Sequence, residues 1–85
     1  MNQEQVINRG LKAERLLNDE DFQSFHDELK SLISDSLFNT KPEEDAQRER
    51  LYFLHQGLTD MVGVMESFIA AKDQILADQE TERDD

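Results

Sequence analysis

Between Pro42 and Asp78 nothing stronger than a glycine interrupts a helix, and Leu51, Leu54, Leu58, Met61, Met65, Phe68, Lys72 and Ile75 recur at alternating spacings of three and four. That is heptad geometry, with Lys72 as its exception. At 1.5 Å per residue such a helix is on the order of 50 Å long. One apolar stripe on a rod of that length needs something to lie along it, and the nearest supply is the first half of the same chain.

That first half reads as two shorter helices. Over 3–17, Val6, Gly10, Ala13 and Leu17 form a stripe, with Leu11 and Leu16 beside it. Gly10 interrupts this stripe at a cost of about 1 kcal/mol relative to alanine, and an inward glycine would permit close helix approach. Asn18 has the chemistry of an N-cap, and Asp19, Glu20 and Asp21 place negative charge at the positive end of a helix dipole. Leu17 and Phe22 have the spacing of a hydrophobic staple around that cap. A break at Asn18 is therefore expected, with a second helix over 19–38 carrying Phe22, Phe25, Leu29, Leu32, Ile33 and Ser36 on one face.

Asn39-Thr40-Lys41-Pro42 is the one clear turn. Thr40 and Glu43 match a capping box, and Pro42 suits a first helical turn. The third helix is expected over 42–78. The fold class is thus all-α: an antiparallel helical hairpin whose first arm is broken near Asn18, forming one domain over 1–78, oligomeric or docked on another protein. If the turn centres on residues 40 and 41, residue i faces about 81 − i. Val6 then meets Ile75, Gly10 meets Ala71, Ala13 meets Phe68 and Phe22 meets Thr59. The polar run 79–85 is expected to be a disordered acidic tail.

The stretch from Met61 to Ala71 carries more apolar surface than one neighbour can cover, because Val62, Val64 and Ile69 flank the seam on both sides. A helix apolar on two sides touches two neighbours, and an exposed strip marks an interface. The residues expected to form that interface are Leu58, Met61, Val62, Val64, Met65, Phe68, Ile69 and Ile75.

Charge and composition narrow the function classes. Twenty acidic and nine basic side chains give −11, which repels phosphate backbones and anionic membranes. No apolar run reaches the length of a membrane span, and Met1 to Gln5 lack the basic start of a targeting segment. With no cysteine, disulfides and thiolate chemistry are excluded. His26 and His55 stand in no metal-ligand spacing, although the hairpin register sets them opposite one another as a potential pH-sensitive pair. Asp19-Glu20-Asp21 and Glu43-Glu44-Asp45 sit at helix starts without the glycine of a calcium loop. Phosphate-cradling glycine motifs and a nucleophile elbow are absent. No catalytic residue, cofactor, metal or small-molecule substrate is expected, and the chain reads as a non-enzyme.

The stretches Arg9-Gly10-Leu11-Lys12-Ala13-Glu14-Arg15-Leu16-Leu17-Asn18-Asp19, Phe22 with Phe25, and Asp45-Ala46-Gln47-Arg48-Glu49-Arg50-Leu51-Tyr52 resemble a group of small acidic helical proteins of tailed bacteriophages and prophages. The resemblance spans about residues 8–76. It implies a protein encoded near portal, packaging or capsid genes, with a virion or assembly role. Its location would be the cytoplasm of the host cell, and the virion. The partners so implied are the chain itself or a larger assembly such as a capsid, portal or scaffold. The alternative suggested by charge is an acidic, DNA-mimicking inhibitor of a nucleic-acid enzyme.

Overall fold

The computed structural model describes residues 1–83, and these form three helices without a strand: α1 Gln3–Leu17, α2 Glu20–Phe38 and α3 Asp45–Arg83. Each start has a local cause. Asn2 caps α1 by accepting from the Gln5 backbone N–H at 2.8 Å, while the Gln5 side chain accepts from the Asn2 N–H at 3.0 Å. This reciprocal capping box has Asn and Gln where Ser or Thr and Glu are commoner.

The break between α1 and α2 falls at Asn18 as expected, but the residue that caps α2 is one position later. Asn18 closes α1, its N–H donating to the Glu14 carbonyl at 3.1 Å. Asp19 is the cap of α2, and its carboxylate accepts from the Phe22 N–H at 2.9 Å. The physical reason is where α1 ends. Asn18, at φ −92° and ψ −2°, is still its C-cap. Asp19, extended at φ −80° and ψ 125°, is the first residue able to cap α2, and its carboxylate also suits the helix dipole. Gln23 then donates its side-chain amide to the Leu17 carbonyl at 2.6 Å, satisfying an orphan acceptor of α1 across the bend. Asp19→Ala is expected to lower stability by about 1 kcal/mol, measured as a shift in the urea midpoint. An unchanged midpoint would show that the bend is held without the cap.

The turn also departs from expectation. Thr40 does not cap α3, because its hydroxyl donates to the Leu37 carbonyl at 2.8 Å and so finishes α2. Arg48 organises the connection instead. It donates to the Thr40 hydroxyl at 3.1 Å, the Lys41 carbonyl at 2.9 Å and the Asp45 carboxylate at 3.1 Å. Residues 42–43 are spent in this turn, and α3 starts at Asp45 rather than Pro42. At its other end α3 continues past Asp78 to Arg83, so residues 79–83 of the expected tail are helical. Glutamine, glutamate and arginine are good helix formers, and Arg83 complements the negative end of the dipole. Residues 84 and 85 lie outside the described part.

The packed hairpin measures 65 × 24 × 17 Å. A helix with side chains is about 10–12 Å across, so the shortest extent admits little more than one layer of helices. Burial is correspondingly thin. Ala13 is the one buried apolar side chain and Lys72 the one buried charged one among the described residues. The two arms differ. α1 buries Gly10 and Ala13 against the C-terminal part of α3, whereas α2 buries no residue at all. The closeness of α1 depends on Gly10: a Cβ there would overlap the Lys72 Cβ and stand 2.7 Å from the Phe68 carbonyl oxygen.

The seam of α3 is rotated from the one hydrophobicity favours. Leu51, Leu58, Met65 and Lys72 recur every seventh residue and face the first arm. Two flanks can complete that row: Leu54, Met61, Phe68 and Ile75, or His55, Val62 and Ile69. Near the turn the second flank is the half-buried one, while Leu54 and Met61 are exposed. On α2 the same happens. Phe22, His26, Ile33 and Leu37 are half-buried, and Phe25, Leu29 and Leu32, expected to share the packing face, are exposed. A hydrogen bond accompanies this rotation: His26 Nε2 donates to the Leu58 backbone carbonyl at 2.9 Å. His26 therefore engages the chain beyond His55, and the two imidazoles make no hydrogen bond to each other.

Candidate protein interface

In an antiparallel helix pair, side chains displaced in the same rotational sense from the seam emerge on the same side of the pair. At about 100° per residue, Gln23 and Asp27 on α2 and Glu66 on α3 are displaced one way. They indeed line one shallow recess, together with Leu17, Phe22, His26 and Val62. Phe25, Leu29 and Leu32 on α2 and Leu54, Met61 and Val64 on α3 are displaced the other way. The α2–α3 hairpin thus has a polar side and an apolar side.

The apolar side is open. Phe25 is 66% exposed, Leu32 56%, and Val64 50%. Gly57 lies between Leu54 and Met61 along this strip, and nothing stands within 4 Å of where its Cβ would be. The charged residue placed within the strip by helical position is Arg50, which with Ala46, Glu49, Phe53 and Leu54 lines a recess near its turn end. Helical position carries Glu28 and Asp60 around to the outer backs of their helices, and Asp21, like Val64, stands at the strip's outer edge. Phe38, at the tip of α2, and Phe53, stacked edge-on with Tyr52 at 5.8 Å between ring centres, extend the exposed apolar surface around the turn.

Of the residues the sequence points to as an interface, Met61 and Val64 are exposed on this side. Leu58, Val62, Met65, Phe68, Ile69 and Ile75 are half-buried. Sequence reasoning left Phe25, Leu29, Leu32 and Leu54 out of the interface, because it assigned them to packing faces. One signal could have found them. Both helices carry two adjacent stripes at helical spacing, and a two-helix layer can turn only one stripe of each inward.

A second cluster lies at the far end of the hairpin and has a structural explanation. Lys72 is 5% exposed and donates to the Glu14 carboxylate and, at 2.9 Å, to that of Asp73. These hydrogen bonds, Glu14 first and Asp73 second, raise the Lys72 pKa above its ordinary value. The Arg9 guanidinium carbon lies 3.8 Å from the centre of the Phe68 ring, a cation–π contact, and its Nε finds no hydrogen-bond partner among the described residues. The cluster lets α1 dock beside a lysine: the stem packs against Gly10 while the ammonium reaches carboxylates at the rim.

Among the described residues no group of His, Asp or Glu side chains gathers as a metal ion requires, and no helix is long and apolar enough to cross a membrane. The fold and surface define an all-α hairpin with one apolar side. Set beside known proteins, the chain matches no family model, no curated protein and no solved structure.

Proposed function

We propose that this chain is a non-enzymatic protein-interaction module, serving as a component of a tailed-phage particle or of its assembly. The observation that carries the interaction reading is the apolar side of the α2–α3 hairpin, where Phe25, Leu29, Leu32, Leu54, Met61 and Val64 are all at least 40% exposed. Burying one such side chain fully is worth about 1.5–3 kcal/mol, so a strip of six is a strong incentive to association. The phage setting rests on the resemblance of the Arg9–Asp19 and Asp45–Tyr52 segments to small phage proteins. Tagged protein recovered from phage-producing cells should carry a capsid or portal protein identified by mass, and Leu29→Glu should release it. Recovery of neither, with wild-type or variant, would defeat the assembly role.

A second reading, an acidic inhibitor of a nucleic-acid enzyme, draws on the charge of −11 and on Asp21, Glu28 and Asp35, exposed at intervals of seven along the outer side of α2. Capture of such an enzyme that weakens steeply with salt and ignores Leu29→Glu would favour it.

A further inference from the structure

We infer that the apolar side of the α2–α3 hairpin is covered by a second copy of this chain, two hairpins closing face to face into a four-helix bundle. This rests on the protein-interaction reading and names its partner. Three observations lead to it.

The first is area. The chain exposes 6629 Å². A folded monomer of its mass, 9.9 kDa, ordinarily exposes about 5,200 Å². The surplus, about 1,400 Å², exceeds the roughly 800 Å² that each partner contributes to a standard interface. A copy can therefore lose a full interface share and still be as exposed as an ordinary small protein.

The second is the missing core. No large side chain is fully buried among the described residues, and α2 buries nothing. A layer 17 Å deep has no interior, but two such layers stacked through their apolar sides make one. Whatever completes the core has to be at hand whenever the chain is made, and another copy always is. A two-fold arrangement also needs only one self-complementary patch.

The third is charge. Two chains of −11 repel, so a second copy approaches best where carboxylates are sparse. Between its two helices the apolar strip carries Arg50, with Glu49 and Asp21 held to its outer edges, while Asp27 and Glu66 mark the opposite side. A basic partner would be drawn to those acids and would gain nothing from this strip. Gly57, with open space above it, supplies a notch at the centre where a bulky side chain of the other copy can seat.

Sedimentation of the full chain at micromolar concentration, in low and high salt, tests this directly. A dimer is expected, and it should tighten as salt screens the repulsion, whereas docking on a basic surface would loosen. Leu29→Glu and Met61→Glu should each weaken the dimer on the order of 100-fold. Gly57→Ala separates interface from folding. In an isolated copy the added methyl meets open space and favours the helix, so the variant should keep full helicity by circular dichroism while the dimer weakens about 10-fold or more. A wild-type chain that stays monomeric in high salt overturns the inference. A dimer that ignores Leu29→Glu, Met61→Glu and Gly57→Ala overturns it as well. If the chain is monomeric yet a capsid or portal protein is held and then lost on Leu29→Glu, only the second copy is wrong and the interaction reading stands. If it is monomeric and holds neither, both fail.

Discussion

Gly10→Ala should lower the melting temperature by about 5–15 °C, and Gly10→Val should undock α1 altogether. Alanine in a helix interior ordinarily gains about 1 kcal/mol over glycine, so the expected sign is opposite to what helix propensity alone dictates. Packing decides the matter. A Cβ at Gly10 stands 2.7 Å from the Phe68 carbonyl oxygen and overlaps the Lys72 Cβ, and both obstacles are rigid parts of α3. Overpacking of this kind costs about 1–3 kcal/mol or somewhat more, which outweighs the propensity gain. The valine variant adds two more methyl groups with a smaller propensity gain to offset them. A helix of fifteen residues is marginal by itself, so an undocked α1 should melt and reduce the helical signal. Gly63 supplies the internal control, because nothing lies within 4 Å of its Cβ position. Gly63→Ala should raise the melting temperature. Thermal melts at one fixed protein concentration compare the three, since association makes the midpoint concentration-dependent. Should Gly10→Ala melt as high as Gly63→Ala, the close approach of α1 to α3 is not what the geometry says.

The second large effect is a loss of stability at alkaline pH that belongs to one side chain. Lys72 is buried on the seam, and its hydrogen bonds to Glu14 first and Asp73 second hold its pKa above the ordinary lysine value. The folded state therefore keeps this proton more tightly than the unfolded chain does. The resulting stabilisation is complete below the unfolded lysine pKa of about 10.4 and disappears as pH rises through the higher folded value. Urea midpoints should hold steady from neutral pH to about pH 9.5 and then fall. In Lys72→Met the corresponding fall should be smaller, the difference between the two curves isolating Lys72 from every other group that titrates there. Methionine fills the lysine stem's place, and Glu14 and Asp73, with side chains 43% and 62% exposed, return to water. Identical alkaline profiles for the two proteins would show that the ion pair does not couple to folding.

Lys72 also shows how far sequence patterning reaches. As the lysine in an apolar heptad it is conspicuous at once, and so is Gly10 in the stripe of α1. What patterning lacks is the distance between those two positions along the hairpin. Counting outward from the turn pairs Gly10 with Ala71, and the structure seats it against Phe68 and Lys72. The glycine and the lysine are a matched pair, one making room for the stem of the other. Similarly, a cap near residue 18 is visible in the run Asn18-Asp19-Glu20-Asp21, but several neighbours there can cap a helix. The choice of Asp19 depends on where α1 ends.

The apolar side was less legible, for a reason particular to α2 and α3. Leu54, Met61, Phe25, Leu29 and Leu32 are more hydrophobic than His55 and His26, and any rule that buries the greasiest stripe turns the first set inward. The structure turns the second set inward near the turn, with His26 donating to the Leu58 carbonyl and Arg48 tying residues 40, 41 and 45 together. The better stripe is left for another surface. Its exposure is a property of the single chain, and the four-helix bundle proposed above would restore the expected order of burial.

The amino-acid sequence by itself determined that this protein is helical, that its chain reverses near residue 40 and that its first arm bends near residue 18. These follow from local spacing and local capping, where the interacting groups lie within a turn or two of each other. Only the tertiary structure decided which stripe of α2 and of α3 faces inward. Two stripes a fraction of a turn apart satisfy helical periodicity equally well. The rotation of one helix against another is set by contacts between residues thirty or more positions apart, which no local pattern records.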